Sequence, residues 1–408
     1  MEVVYPRCAA LDLGKDLLVA AIRLQAGTVE RGCRTYGTTR AQLLELIAWL
    51  QSAGVTHVVM EATGSYWKSV WHALHEHFEL TLASPAQVKN VPGRKSDVND
   101  ATWMVDLHAH GLVRGSFVPT PEIEALRELT RTRKQFVREV GRHTLRIQKI
   151  LDVAGHKITG PISEILGVSG RRIIKALIAG ETDAERLADL VDPHIKAPRA
   201  RIVEALQGRL TAQQRRLLKM HLKLAEGLET AIDQIDREVA RAVAPFRGIV
   251  DRLKQVPGLS DVSAPALLAE IGIDMSRFPS AGHLVSWARL CPRLDESAGR
   301  VRSRRTLKSA AWAKTLLVQA AWCATRSRSS YLRAQFFRLR ARRGAQKAVV
   351  AVAASILTAV YHMLRDGTDY KDLGFDYFQQ NDRDRTVRRS VARLRQLGYV
   401  VSLSSGAA

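Results

Sequence analysis

Acidic residues are in short supply in this 408-residue chain. Asp and Glu number 40 against 62 Lys and Arg, a formal charge of +22. Residues 297–365 contain no acid at all, while fifteen Lys and Arg fall there. Ordinary surfaces mix both signs, so this stretch points to a polyanionic partner, because each phosphate met by Lys or Arg releases a counterion. Cysteine is scarce too. Cys8, Cys33, Cys291 and Cys323 stand far apart with no CxxC pair, which argues against a zinc ribbon or a disulfide framework and for reduced thiols. There is no GxxxxGK(S/T), no GxGxxG and no GxSxG, so a P-loop ATPase, a dinucleotide enzyme and an α/β-hydrolase have no support. No unbroken apolar run reaches the roughly 18–20 residues of a membrane span. Residues 1–10 lack a secretory leader's basic-then-apolar order, so a cytoplasmic protein is expected. What is present is an ordinary globular balance, 46% apolar and 25% charged. Global disorder is thereby excluded, and at roughly 100–200 residues each the length suits two to four domains.

Three stretches differ in pattern: residues 1–118, 119–250 and 251–408. In the first, residues 9–13 and 17–22 are short apolar runs around Gly14-Lys15, which predicts a hairpin. Residues 39–52 place Leu43, Leu44, Ile47 and Leu50 at helical spacing. Residues 55–60 read as a strand ending at Glu61, residues 65–77 as a second helix and residues 79–83 as one more strand. That order predicts a mixed sheet flanked by helices. In the second stretch, Ile123, Leu126 and Leu129 recur on one face and lead into a basic helix through Ile150, ended by Gly155, Gly160 and Pro161. A short helical insert follows, with Pro193 and Pro198 near its close. The next long helix spaces Leu228, Ile232, Ile235, Val239 and Val243 by four and three, as in a coiled-coil seam. An internal two-helix hairpin and a contact between two copies fit that seam equally. The third stretch is helical and basic, with Trp312, Trp322, Tyr331, Phe336 and Phe337 among its cations. At helical spacing those aromatics read more simply as core than as stacking platforms for bases.

Four carboxylates stand out. Asp12 ends an apolar run in Ala-Leu-Asp-Leu-Gly-Lys, and Glu61 ends another in Val-Val-Met-Glu-Ala-Thr-Gly. Strands disfavour acids, so each needs a partner or water. Asp97 and Asp100 precede a helical run at residues 101–110, and their i,i+3 spacing puts both on one helical face. An N-cap at Asp97 and a first-turn acid at Asp100 is the purely structural alternative. Taken together, two strand-end acids and a DxxD opening a helix suit two-metal phosphoryl transfer. Hard divalent cations take oxygen ligands, and two ions roughly 3.5–4 Å apart stabilise both the attacking and the leaving oxygen. Without metal the four carboxylates would repel one another.

These acids and their local text, Leu-Asp-Leu-Gly-Lys, Met-Glu-Ala-Thr-Gly-Ser-Tyr-Trp and Lys-Ser-Asp-Val-Asn-Asp-Ala, resemble the DEDD tetrad of the insertion-sequence-110 family of transposases. The resemblance implies an α/β RNase H-like (RuvC-like) catalytic domain over residues 1–118, with Asp12, Glu61, Asp97 and Asp100 as its catalytic metal ligands. It implies two divalent cations, Mg2+ or in its place Mn2+. Asp16 and Asp106 lie nearby but outside the motif. Residues 119–250 would then be a helical, coiled-coil region with an insert, and residues 251–408 a mostly α C-terminal transposase domain.

The second half carries the same likeness. Val256-Pro257-Gly258-Leu259-Ser260-Asp261, ahead of Leu267-Leu268-Ala269-Glu270-Ile271-Gly272, resembles a helix-hairpin-helix, where Gly258 lets backbone N–H groups approach phosphate. The segment Ser-Trp-Ala-Arg-Leu-Cys-Pro-Arg-Leu-Asp-Glu-Ser-Ala-Gly-Arg at 286–300 resembles the family's C-terminal domain, in which a serine attacks DNA and forms a phosphoserine link. Ser297 holds that position. A serine beside glycine is ordinarily a loop residue, and a hydroxyl is a weak nucleophile unless activated. On the family reading, the metal site or a neighbouring arginine supplies the activation. Arg300, Arg302, Arg304, Arg305 and Lys308, with Arg342 and Arg343, are the expected nucleic-acid contacts and suit a developing phosphate charge. Residues 316–322, 330–332, 342–344 and 373–378 extend the likeness along the chain. Lys308-Ser309-Ala310-Ala311 stands where the family often has Gly-Asn.

The resemblance implies a prokaryotic, nucleoid-associated DNA recombinase that moves an insertion sequence. Its implied partners are donor and target DNA, a structured noncoding guide RNA encoded by the element, and further copies of itself in a dimer or tetramer, with no membrane. The acids and Ser297 would meet within one subunit or between subunits. Two rivals use fewer of these residues. A Holliday junction resolvase using water keeps the four acids and has no use for Ser297, whereas a non-catalytic nucleic-acid-binding scaffold needs neither. His72, His75 and His77 form a further cluster, but only the first pair has same-face spacing, so the polar face of a helix is the simpler reading.

Overall fold

The computed structural model describes residues 2–62, 64–83, 100–292, 295–297, 300–303, 305–306 and 312–402. Two compact units divide the chain, Met1–Val118 and Pro119–Ala408, so the second takes in both later stretches of the sequence. In the first unit, β1 (Arg7–Leu13) and β2 (Leu17–Ala26) form the expected antiparallel hairpin. Next to β2 lies β3 (Thr28–Gly37). On the other side, β4 (His57–Glu61) runs parallel to β1, and β5 (Glu79–Ala83) parallel to β4. The order β3-β2-β1-β4-β5 is consistent with an RNase H-like sheet.

Alternation along the strands sends side chains to two cores. Ala9, Leu11, Val58 and Met60 meet α1 (Arg40–Ser52) and α2 (Trp67–Leu74) through Leu43, Leu46, Ile47, Leu50, Val70 and Leu74. Cys8, Ala10, Val59 and Ala83 meet α3 (Asp100–Ala109) through Ala101, Met104, Val105 and Ala109. The central strands are therefore covered on both faces, which is why they read as near-continuous apolar runs. Three sequence expectations are corrected. Leu44 is 57% exposed and Leu46 takes its place in the buried stripe, because 43, 46, 47 and 50 form the i, i+3, i+4, i+7 set that faces the sheet. α2 is shorter than residues 65–77. No strand was expected at β3, whose polar, mostly exposed residues lack apolar alternation; such a charged strand suits a sheet edge.

The second unit is built on two long helices. α4 (Pro121–Val153) opens with Pro at its first position, preorganised for a helix. α5 (Val168–Ala179), α6 (Ala184–Asp189) and α7 (Arg199–Ala205) form the insert. α8 (Ala212–Val243) starts with a capping box in which Thr211 and Gln214 satisfy each other's amides. α4 and α8 pack antiparallel: Arg133 reaches Asp236, and further along His143 Nδ1 lies 3.1 Å from His221 Nδ1. Leu228, Ile232, Ile235 and Val239 are half-buried along α8. The insert closes over Ile147 and Leu151 of α4 and Leu218 and Leu222 of α8 with Ile173, Ile174 and Leu177.

Beyond these come α9 (Arg247–Lys254), α10 (Ser263–Ile271), α11 (Ala281–Trp287) and a two-stranded hairpin, β6 (Asp295–Ser297) with β7 (Arg300–Ser303). α12 (Trp312–Ala324), α13 (Tyr331–Arg343), α14 (Ala345–Asp366) and α15 (Tyr377–Gln396) complete the unit. Although the sequence has no unbroken apolar run of spanning length, α14 is long and apolar enough to cross a membrane by length and composition. Half of that window is buried within the chain. Val352, Ala353, Ile356, Leu357 and Val360 are fully buried, and Tyr361 donates its hydroxyl to the Phe278 carbonyl at 2.9 Å, the environment of a core helix.

Candidate active site and nucleic-acid interface

Asp12 and Glu61 stand at the C-terminal ends of two adjacent parallel strands. Leu11 and Met60 are cross-strand partners. One residue further on, Asp12 and Glu61 both leave the α1–α2 core and take the α3 side. Two other pairings agree: Asp12 lies opposite Val19 and Glu61 opposite Ala83, and both partners pack into the α3-side core. The direction of α3 places the third acid. Its C-terminal Ala109 carbonyl accepts from the amides of Val4 (2.8 Å) and Tyr5 (3.0 Å), just ahead of β1. One turn earlier, Cys8 Sγ lies 3.8 Å from the Val105 carbonyl. α3 therefore runs antiparallel to β1, and its first residue, Asp100, points back toward the end where β1 and β4 finish. All three acids are half-buried.

The fold thus brings three of the four expected acids to one end of one sheet face, while Asp97 lies outside the described residues. Among the described residues, no three His, Cys, Asp or Glu side chains close into a metal cluster. As a donor set, three carboxylates match a hard, oxygen-seeking divalent cation rather than a softer metal. Asp106 has another role: Arg31 donates to both its carboxylate oxygens at 3.0 Å, and buried Arg23 lies 3.2 Å away. Asp16 is exposed. Burial pushes the Cys8 thiol up to about 11, against the opposing pull of Arg23, so it is protonated and inert. In the histidine cluster, His75 Nδ1 lies 2.9 Å from the His72 carbonyl, a local hydrogen bond.

In the second unit, Ser297 ends β6 directly opposite Arg300 of β7. Opposite positions in an antiparallel pair are nearest cross-strand neighbours, so the serine and a guanidinium-bearing residue are paired by register. Arg300 and Arg305 are exposed, and Arg302 lies in β7. Arg304 and Lys308 fall outside the described residues. Arg342 and Arg343 are exposed in the last turn of α13, where they also offset the helix's C-terminal carbonyls. Gly258 links α9 and α10 with φ +94°, and a Cβ there would collide with the Ala320 carbonyl of α12. Backbone conformation and close helix approach both require glycine, independently of any phosphate. A cavity of ≈ 690 Å³ opens beside it among α4, α8, α9, α10 and α12.

One cluster was not foreseen. Arg127, Arg131, Lys134 and Arg138 lie at i, i+4, i+7 and i+11 on α4, a single helical stripe. Arg131 forks onto the Glu270 carboxylate with two bonds of 2.8 Å, and Arg127 onto the carbonyls of Ala269 and Glu270. Arg131, Lys134 and Arg138 then converge on the Trp312 indole, at 5.3, 5.9 and 5.6 Å from the ring centroid. Burial, and next Arg138, hold the Lys134 ammonium below its ordinary pKa. The stripe's spacing was the available signal; its meeting with Trp312 depends on tertiary packing.

Two family models match, the first reaching beyond the first unit through α4 and the second lying within the second unit. A family model described as a transposase, of the DEDD IS110 type, matches residues 9–155. A second, described as the transposase IS116/IS110/IS902 family, matches residues 250–336. Together they span more than half of the chain, taking in all four acids, Gly258, Ser297 and Trp312. No curated protein matches the chain.

Proposed function

Because the chain belongs to the insertion-sequence-110 family of transposases, and so is a DNA transposase or recombinase, we propose that it exchanges strands through a covalent Ser297–DNA intermediate supported by the acids of its first unit. The gathering of Asp12, Glu61 and Asp100 at one end of the sheet carries this reading. Asp97, three residues before Asp100, supplies the fourth carboxylate. These four residues would hold divalent cations, Mg2+ or Mn2+, which when bound supply Lewis acidity to reacting phosphate oxygens.

The chain's own residues do the rest. The Ser297 hydroxyl oxygen attacks a backbone phosphorus and forms an O–P bond. The bond from phosphorus to the departing sugar oxygen breaks, and that oxygen ends with the serine's proton. One phosphodiester replaces another, so the reverse step rejoins DNA without a nucleotide cofactor. Arg300, opposite Ser297, offsets charge that builds on the phosphate oxygens, helped by Arg302, Arg304 and Arg305. Lys308, Arg342 and Arg343 hold the backbone, and Gly258 sets the turn that keeps α10 against α12. Sequence choice is delegated to base pairing with an element-encoded RNA while the protein reads backbone and shape. Strand exchange requires several strands cut together, which calls for a dimer or tetramer acting at the nucleoid.

The test is adduct trapping. The protein is incubated with Mg2+, labelled duplexes carrying the element's ends and RNA transcribed from its flanks, then run on a denaturing gel. A labelled protein–DNA adduct is expected from the wild type, none from Ser297→Ala, and at least a hundredfold less from Asp12→Ala, Asp97→Ala or chelated samples, as an order-of-magnitude expectation. Cleavage without adduct that survives Ser297→Ala would instead mark water as nucleophile and overturn the serine assignment.

A further inference from the structure

We propose that Arg131, Lys134 and Arg138 of α4, gathered at Trp312, form a binding site for the phosphodiester backbone of a nucleic acid. The proposal rests on the reading that the chain acts on nucleic acid, and it adds a site that neither Ser297 nor the acids require. The first observation is convergence. Three cations lie 5.3 to 5.9 Å from the centroid of one indole. An aromatic face attracts cations, which explains how they are held there, but it does not neutralise them. Both oxygens of Glu270 are already engaged by Arg131. Like charges assembled this closely repel one another, and an arriving phosphate converts that repulsion into binding. The depressed Lys134 ammonium, lowered by burial and Arg138, reflects the same crowding.

The second observation is room. The ≈ 690 Å³ cavity is lined by Lys134, Arg138 and Arg247 together with Val137, Val250 and Leu316, and its three carboxylates are engaged by other cations, Asp236 by Arg133 and Asp251 and Asp261 by Lys254. Cations and apolar walls side by side suit a phosphate with its sugar or base attached. The third observation is continuity, which favours a polymer over a free nucleotide. The cationic stripe runs on along α4 to Arg146 and Lys149, both exposed. From Arg131 to Lys149 the helix advances about 27 Å at 1.5 Å per residue, enough to follow several phosphates of a backbone. Trp312 also opens the helix that follows the Ser297 hairpin in sequence, so the site belongs to the same unit as the serine.

The test reads binding without chemistry, in the full-length Ser297→Ala protein. Fluorescence anisotropy measures affinity for a labelled DNA duplex, single-stranded DNA and an RNA hairpin between 50 and 200 mM salt. Each lost phosphate contact lowers the slope of log K against log salt by about 0.9 on duplex and about 0.7 on single strands. Lys134→Gln with Arg138→Gln should therefore flatten the slope by about 1.4 to 1.8 on whichever substrate uses the site, shrinking the salt-induced loss of affinity roughly 7- to 12-fold. Arg186→Gln with Arg216→Gln, an equal charge change on α6 and α8, should leave the slope alone. Should the double variant fold poorly, Arg138→Gln alone, at an exposed position, should still remove about one contact. Unchanged slopes on all three substrates in folded variants would overturn the proposal and reduce the cluster to a clamp between α4 and α12. Adduct formation at Ser297, measured separately, would then remain intact.

Discussion

Acid should weaken this protein through His108 before most carboxylates titrate. The His108 ring is 1% exposed beneath β1, stacked on Tyr5 with ring centroids 4.8 Å apart. Neither ring nitrogen has a hydrogen-bond partner among the described residues. Burial above all, then the nearby His57, pushes its pKa from 6.5 down to about 4. In the unfolded chain the same imidazole titrates near 6.5. Below that pH the unfolded state binds a proton that the folded state refuses, so stability falls as pH drops from about 6.5 and the loss is complete below about 4. Linkage puts the full loss at about 3 kcal/mol, of which about 2 kcal/mol is gone by pH 5. His108→Phe keeps a ring against Tyr5 and removes the proton site. Urea unfolding at pH 7 and pH 5 should show the wild type losing about 2 kcal/mol more than the variant. Equal losses in the two proteins would refute the buried neutral histidine.

Two further outcomes test the second unit's packing. Gly258→Ala meets both a positive φ and the Ala320 carbonyl, so thermal melts should show a loss of about 3 kcal/mol or more; a loss under about 1 kcal/mol would mean that α12 yields easily. Glu270→Leu strips the fork from Arg131, and with Glu270 5% exposed but Arg131 partly in water, the cost should be about 2–3 kcal/mol. A double-mutant cycle with Arg131→Met should recover over about 1 kcal/mol of coupling, and additive losses would show that the pair contributes nothing.

Sequence reading succeeded where burial is two-sided and failed where packing makes the choice. β1 and β4 announce themselves because both faces of the sheet's centre are covered. β3 does not, since an edge strand bearing Glu30, Arg31 and Arg34 has no apolar period to detect. In α1, positions 43, 47 and 50 were clear, but only the helix's rotation on the sheet decides for Leu46 over Leu44. Asp12 and Glu61 were conspicuous as acids at strand ends. That they share the face beneath α3 follows from the parallel β1–β4 register, which no local pattern states. Gly258 was noticed for a turn, whereas the nearness of α12 is the stronger demand on it. Lys134 and Trp312 lie far apart in the chain, so their meeting was invisible before the helices were packed.

The distribution of charge separates the cations that hold the scaffold from those that remain for a partner. In the insert, and where it meets α8, basic residues are matched: Arg171 bridges to Glu229, Lys175 to Glu226 at 2.9 Å, and Arg199 to both Glu185 and Asp189 at 2.8 Å. These pairs fix helices to one another and cancel at a distance. Residues 297–365 offer fifteen cations and no acid, which is most of the chain's +22. At physiological salt, exposed charges are screened beyond about 8 Å, so the remaining attraction for a polyanion is local to that stretch and to the α4 stripe that meets it at Trp312. Ser297 is its first residue, with Arg300 opposite across the hairpin. On the proposed mechanism, a hydroxyl that attacks an anionic phosphate gains from a neighbourhood that gathers phosphates and keeps carboxylates out. On the same proposal, the described acids that would assist phosphoryl transfer, Asp12, Glu61 and Asp100, lie in the other unit, at the end of a sheet whose two cores set their positions.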